Sequence, residues 1–87
     1  MYYVYQIVDE DTKFYTGYTS DLRERIKRHN AGENESTKGK IWKLVYYEAY
    51  LSEKDARRRE KQIKDSGQAR RFLRERIRES ILEASSD

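Results

Sequence analysis

Tyr2-Tyr3-Val4-Tyr5-Gln6-Ile7-Val8 is a run of aromatic and β-branched residues, and Phe14-Tyr15-Thr16 repeats that composition after the polar interruption Asp9-Glu10-Asp11-Thr12. Such side chains suit a pleated, half-buried surface, so the two runs read as a β-hairpin with a loop of roughly four residues. Outward from this hairpin, Thr19-Ser20-Asp21 offers N-cap oxygens for a helix over about residues 20–30, with Leu22 and Ile26 one turn apart and Gly32 just past its end. Residues 31–40 carry two glycines and no apolar periodicity, which marks a loop long enough to have a function. The tyrosine-rich segment from Trp42 to Leu51 reads as a third strand. Ser52-Glu53-Lys54-Asp55 has the form of a capping box opening a second helix to about Lys64, closed by Asp65-Ser66-Gly67. A third helix follows from about residue 68, with Ala69, Phe72, Leu73, Ile77, Ile81 and Ala84 at helical spacing. The order is ββαβαα, a three-stranded sheet flanked by helices, in one domain over residues 1–82 with residues 83–87 as a frayed tail.

A chain of 87 residues holds one small domain, which excludes an enzyme built around a cleft between two domains. Leu, Ile, Val and Phe together number only sixteen, but eight Tyr, one Trp and a net charge of just +3 point to a folded domain with a thin, tyrosine-rich core. The lack of Cys excludes disulfides, thiolate zinc sites and a cysteine nucleophile, and a single His excludes the common His-rich metal sites. The start of the chain does not resemble a leader, and no run approaches the roughly 18 apolar residues of a membrane span, so a cytoplasmic setting without membrane contact is expected. Residues 54–78 carry eleven Lys and Arg against four acidic residues. That patch suits a phosphate backbone, and equally a solvated helix face.

Polar residues on apolar stripes carry more information. At about 100° per residue, Arg25 and the lone His29 fall within the same arc as Leu22 and Ile26, the stripe that faces the sheet. On the second helix Glu60 falls with Ala56 and Ile63. A half-buried carboxylate needs a cationic partner. One reading is an internal Arg25–Glu60 ion pair with His29 hydrogen-bonded nearby. The other is a phosphate-ester site, with Arg25 for a non-bridging oxygen, Glu60 for a divalent cation and a hydroxyl of Tyr5 or Tyr15 to orient water. Each tyrosine taken alone reads equally as a core ring with its hydroxyl at the edge.

The spacings Tyr3-Val4-Tyr5, Tyr15-Thr16-Gly17, Arg25, His29-Asn30 and Arg59-Glu60-Lys61-Gln62-Ile63-Lys64, with the run from Tyr15 to Arg25, resemble the GIY-YIG nuclease superfamily in its small single-domain branch. The resemblance covers residues 2–64. It implies an α+β fold with a three-stranded antiparallel sheet, and metal-dependent hydrolysis of nucleic-acid phosphodiesters, as in homing endonucleases and the nuclease subunit of DNA excision repair. By the same resemblance Tyr5 and Tyr15 match the motif tyrosines, Arg25 the catalytic arginine, His29 a histidine found in many members, Glu60 the metal-binding glutamate and Gly17 the glycine of the second motif. Tyr3 replaces the glycine of the first motif and Thr16 the isoleucine of the second. No Asn follows Asn34, where several relatives carry one late in the domain; Gln68 and Glu75 stand in that region.

These matches imply Mg²⁺ or Mn²⁺ held by Glu60 and the substrate phosphate, Arg25 against the charge of the transition state, Tyr5 or His29 acting on the attacking water, and Tyr15 orienting water or phosphate. Lys38 and Lys40 in the loop, with Arg57, Arg58, Arg70 and Arg74 on the later helices, are candidates for backbone contacts. The aromatic motifs of common RNA modules are missing, so DNA is favoured over RNA. A nucleic-acid binding module that has lost catalysis is the competing reading, and a protein adaptor using the charged third helix is a third.

Overall fold

In a computed structural model, described over residues 1–86, the opening tyrosine run forms strand β1 (Tyr2–Val8) and the second aromatic run forms β2 (Phe14–Thr19). Asp9 builds the turn between them. Its Oδ1 accepts from the backbone N–H of Asp11 (2.9 Å) and Lys13 (2.8 Å), satisfying donors that the tight reversal would leave unpaired. Helix α1 (Leu22–Asn30) follows, capped by Asp21, whose side chain accepts from Glu24 N–H at 3.1 Å. Strand β3 (Lys43–Tyr50) then pairs with β1, giving an antiparallel sheet in the order β2-β1-β3. The register sets Tyr5 opposite Gly17 on one side and Tyr47 on the other.

Side-chain alternation along β1 divides the core between the two faces of the sheet. Tyr5 and Ile7 pack with Trp42, Leu22 and Ile26 under α1. Val4 packs on the opposite face with Ala56 and Ile63 of α2 (Glu53–Asp65) and Leu73 of α3 (Gly67–Arg76). Tyrosines 2, 18, 46 and 50 extend that second cluster, so rings supply the area that a chain poor in aliphatic residues lacks.

Three expectations are corrected. Ser52 sits at the N-cap of α2, but its side chain makes no capping bond, and Asp55, the third residue of the helix that would close the box, pairs with Arg58 instead. The third helix is two helices, α3 and α4 (Arg78–Ser85), so the order is ββαβααα. The break falls at Ile77 (φ −110°, ψ 25°), without Gly or Pro, and the turn there brings α4 against β3. Glu83 to Ser85, expected to fray, complete α4, where Lys43 Nζ donates to Ala84 O at 2.9 Å. Asp87 lies outside the described residues.

Candidate active site

Tyr5 faces α1 from the central strand and is fully buried. Its ring lies over Gly17 of the neighbouring strand: a Cβ there would stand 2.2 Å from the Tyr5 hydroxyl and 2.3 Å from Cζ. Glycine is therefore required by the close approach of the ring. The Tyr5 hydroxyl is 2.6 Å from His29 Nε2. His29 sits in the last turn of α1, only 1% exposed, and its Nδ1 is 2.8 Å from Thr37 Oγ1. Tyr15 stands edge-on to the imidazole at 5.1 Å between centroids, and edge-on to Trp42 at 6.2 Å.

Arg25, one turn before His29, is half-buried, and its guanidinium lies close enough to Tyr5 to bear on its ionisation. Burial pushes the Tyr5 phenol up to about 12 against the pull of the Arg25 charge and hydrogen bond, with Tyr15 and Glu60 adding to the rise. Burial, and then the Arg25 charge, hold His29 below its usual range. At neutral pH the pair is therefore a phenol beside a neutral imidazole.

Glu60 points inward from α2 with its side chain 22% exposed. Among the described residues Arg25 has no carboxylate within ion-pair distance, so the internal Arg25–Glu60 pair does not form. Glu60 pairs with Lys64 one turn along α2, at 3.1 Å. Lys64 Nζ lies 5.8 Å from the centre of the Tyr15 ring, which places the Glu60–Lys64 pair beside that tyrosine. Side chains from helices on opposite faces of the sheet, His29 of α1 and Lys64 of α2, thus both reach the Tyr15 ring on β2.

The candidate backbone-binding residues separate. Arg57 lies over the Tyr18 ring (5.2 Å) and Arg74 over Phe14 (4.5 Å), both rings of β2. Arg58 pairs with Asp55 at 3.0 Å and borders a hollow with Tyr50, Arg59 and Gln62 on the β3 side of α2. Arg70 donates to the carbonyls of Ile63 and Lys64, ending α2. Lys40 is 3.7 Å from Asp11 and 4.0 Å from Asp9, at the hairpin turn. Lys38 is exposed. Glu75 is exposed and pairs with Arg78 at 3.1 Å.

Two residues here carry no sequence signal. Thr37 is fully buried in a loop without periodicity, and Asn34 reaches Tyr15 with its side-chain amide, 3.5 Å from the hydroxyl. A cleft of about 170 Å³ opens between Arg25, Arg28, His29, Glu33 and Asn34. The larger apolar groove by Leu22, Ile26, Lys27 and Leu44 lies on the other side of α1.

Among the described residues no group of three or more His, Asp or Glu is arranged to hold an ion. One half-buried carboxylate fits Mg²⁺ or Mn²⁺ in the manner in which Mg²⁺ is usually held, by one or two carboxylates and substrate phosphate with water completing the shell. No helix is long and apolar enough to cross a membrane among the described residues.

Residues 1–74 match the family model described as the GIY-YIG catalytic domain. The chain is 38% identical over 73 residues to a UPF0213 protein of Halobacterium salinarum, covering 82% of this chain and 95% of that one. It is 42% identical over 66 residues to a UPF0213 protein of Clostridium perfringens, covering 74% and 71%. The solution NMR structure of a UPF0213 protein from Bacillus halodurans is similar with a TM-score of 0.54 and 36% identity, over 84% of this chain and 82% of that one.

Proposed function

The chain belongs to the GIY-YIG family, and from that premise we propose that it is a metal-dependent nuclease hydrolysing nucleic-acid phosphodiester bonds, with DNA favoured over RNA. The observation that carries the reading is a buried Tyr5–His29 hydrogen bond with the Arg25 guanidinium beside it and the half-buried Glu60 within electrostatic reach of the same phenol. Structural packing alone does not ask for a buried phenol, an imidazole and a guanidinium in one place.

The residues divide the work by their chemistry. Arg25 faces the charge that builds on the non-bridging oxygens as the phosphorus gains its fifth ligand; losing such a donor costs on the order of 100-fold or more. Tyr5 takes a proton from the attacking water as its own proton passes to His29 Nε2, so the buried phenol need not ionise in isolation. Tyr15, held by its ring contacts with His29 and Trp42, orients the water or the phosphate. Glu60 would hold Mg²⁺ or Mn²⁺, which when bound supplies Lewis-acid stabilisation of the leaving oxygen.

The test is cleavage of plasmid and of single-stranded, duplex and branched DNA, and of RNA, with Mg²⁺, Mn²⁺ or EDTA. Wild type cuts only with metal, and Glu60→Gln loses at least about 100-fold. Metal-independent cutting, or full rate in Glu60→Gln, would overturn the reading. The Glu60–Lys64 ion pair favours a second one, a binding module whose carboxylate is neutralised internally. That version predicts salt-sensitive binding, unchanged in Glu60→Gln, and no cleavage.

A further inference from the structure

Thr37 is the buried residue of the 31–40 loop that touches the imidazole, and two backbone hydrogen bonds fix it there. Its N–H donates to Asn34 O at 3.1 Å, and its carbonyl accepts from Trp42 Nε1 at 2.8 Å. Trp42 is in turn clipped by Asn30, whose side chain accepts from its N–H (2.7 Å) and donates to its carbonyl (3.1 Å). A threonine held this firmly imposes its hydrogen-bonding preference on its neighbour.

We propose that Thr37 is a positioning residue that fixes the tautomer of His29, its hydroxyl accepting the Nδ1–H so that Nε2 is the bare nitrogen facing Tyr5. The argument follows the protons. Thr37 Oγ1 touches Asn34 O (3.3 Å) and His29 Nδ1 (2.8 Å). A carbonyl can only accept, so the single hydroxyl proton goes to Asn34 and a lone pair remains for Nδ1–H. A neutral imidazole carries one ring proton, so Nε2 has none and accepts the Tyr5 O–H at 2.6 Å. The opposite sense would have Nε2–H donating to Tyr5. Among the described residues the fully buried Tyr5 hydroxyl has no second acceptor within hydrogen-bond distance, so its proton would then be stranded, which is costly. Arg25 cannot relieve this, because a guanidinium only donates.

For its kinetic consequence the inference rests on the nuclease reading, since a bare Nε2 is what lets Tyr5 pass on its proton. Its direct test does not. His29 is the only histidine of the chain, so nitrogen NMR of the intact protein reports its ring without ambiguity. At neutral pH the wild type, Thr37→Ser and Tyr5→Phe, in which Thr37 alone is left to choose the tautomer, are expected to carry the proton on Nδ1, and Tyr5→Phe combined with Thr37→Val to lose that preference. In the cleavage assay Thr37→Val lowers kcat by about 10–100-fold with KM little changed, the usual scale for a residue behind a functional histidine, and Thr37→Ser restores the rate. Nε2 protonation in the wild type or in Tyr5→Phe, or an unaltered Nδ1–H tautomer in the Tyr5→Phe, Thr37→Val double variant, would overturn the proposal. A wild type that cuts no nucleic acid counts against the nuclease reading, and the ring tautomer still decides the role of Thr37.

Discussion

His29 resists protonation because it is buried and faces the Arg25 cation, and both causes lower its pKa from the usual value of about 6.5. The sign of the pH dependence follows. The unfolded chain takes up the proton near pH 6.5 while the folded chain does not, so the stability from the neutral ring is complete above that pH. It declines as pH falls toward the folded value. The acid limb of activity should sit below 6.5 for the same reason, because Nε2 stays free to accept until the folded pKa is reached. Urea midpoints and cleavage rates measured across this range check both statements, and His29→Asn should lose the decline in stability within the window. A rate already halved above pH 6.5 would contradict the assignment. Histidine's place on the apolar stripe of α1 was legible from its spacing to Leu22 and Ile26. Its partner Thr37 was not, since loop residues carry no period from which contact can be read.

Between elements, the tightest constraint is the crossing of the Tyr5 ring over Gly17, from β1 to β2. A methyl group at Gly17 meets the ring and hydroxyl well inside van der Waals contact, and Tyr5 is enclosed on every side. Gly17→Ala should therefore move the ring and break its bond to His29, costing about 1–3 kcal/mol in stability, the range for overpacked cores. Chemical denaturation measures the loss, and cleavage should fall by more than the folded fraction does. A variant as stable and active as wild type would show that the ring can yield. The strands were visible in their runs of aromatic and β-branched residues. The break at Ile77 was not, because helical spacing continues through it and no Gly or Pro marks it; what goes with the turn is the seat of α4 against β3, a long-range contact.

The whole molecule measures 34 × 28 × 19 Å, so one copy spans about one turn of duplex, roughly 34 Å. Its basic residues are not one surface. Arg57 and Arg74 lie over rings of β2, the edge where Tyr15 stands beside Lys64 of the Glu60–Lys64 pair, whereas Arg58 is on the β3 side of α2. If nucleic acid follows the β2 edge, Arg57→Ala should reduce the slope of log affinity against log salt by about 1, and Arg58→Ala should leave it unchanged. Binding titrations at several salt concentrations separate the two, and equal effects would move the track elsewhere. Arg70 is occupied by the end of α2, so its loss should appear in stability rather than affinity.

Local periodicity determined much by itself. Together with local composition it gave the hairpin, the third strand, the helices about the sheet, and the inward placement of Arg25, His29 and Glu60, because strand-forming runs and the 3.6-residue turn are properties of neighbouring positions. Only the tertiary structure decided the partners. It gave Glu60 to Lys64 rather than Arg25, His29 to both Tyr5 and Thr37, and Arg70 to the carbonyls of α2. A short-range pattern says which side of an element a residue faces. What it meets there depends on strand order, register and loop path, and those are set by the packing of the whole chain.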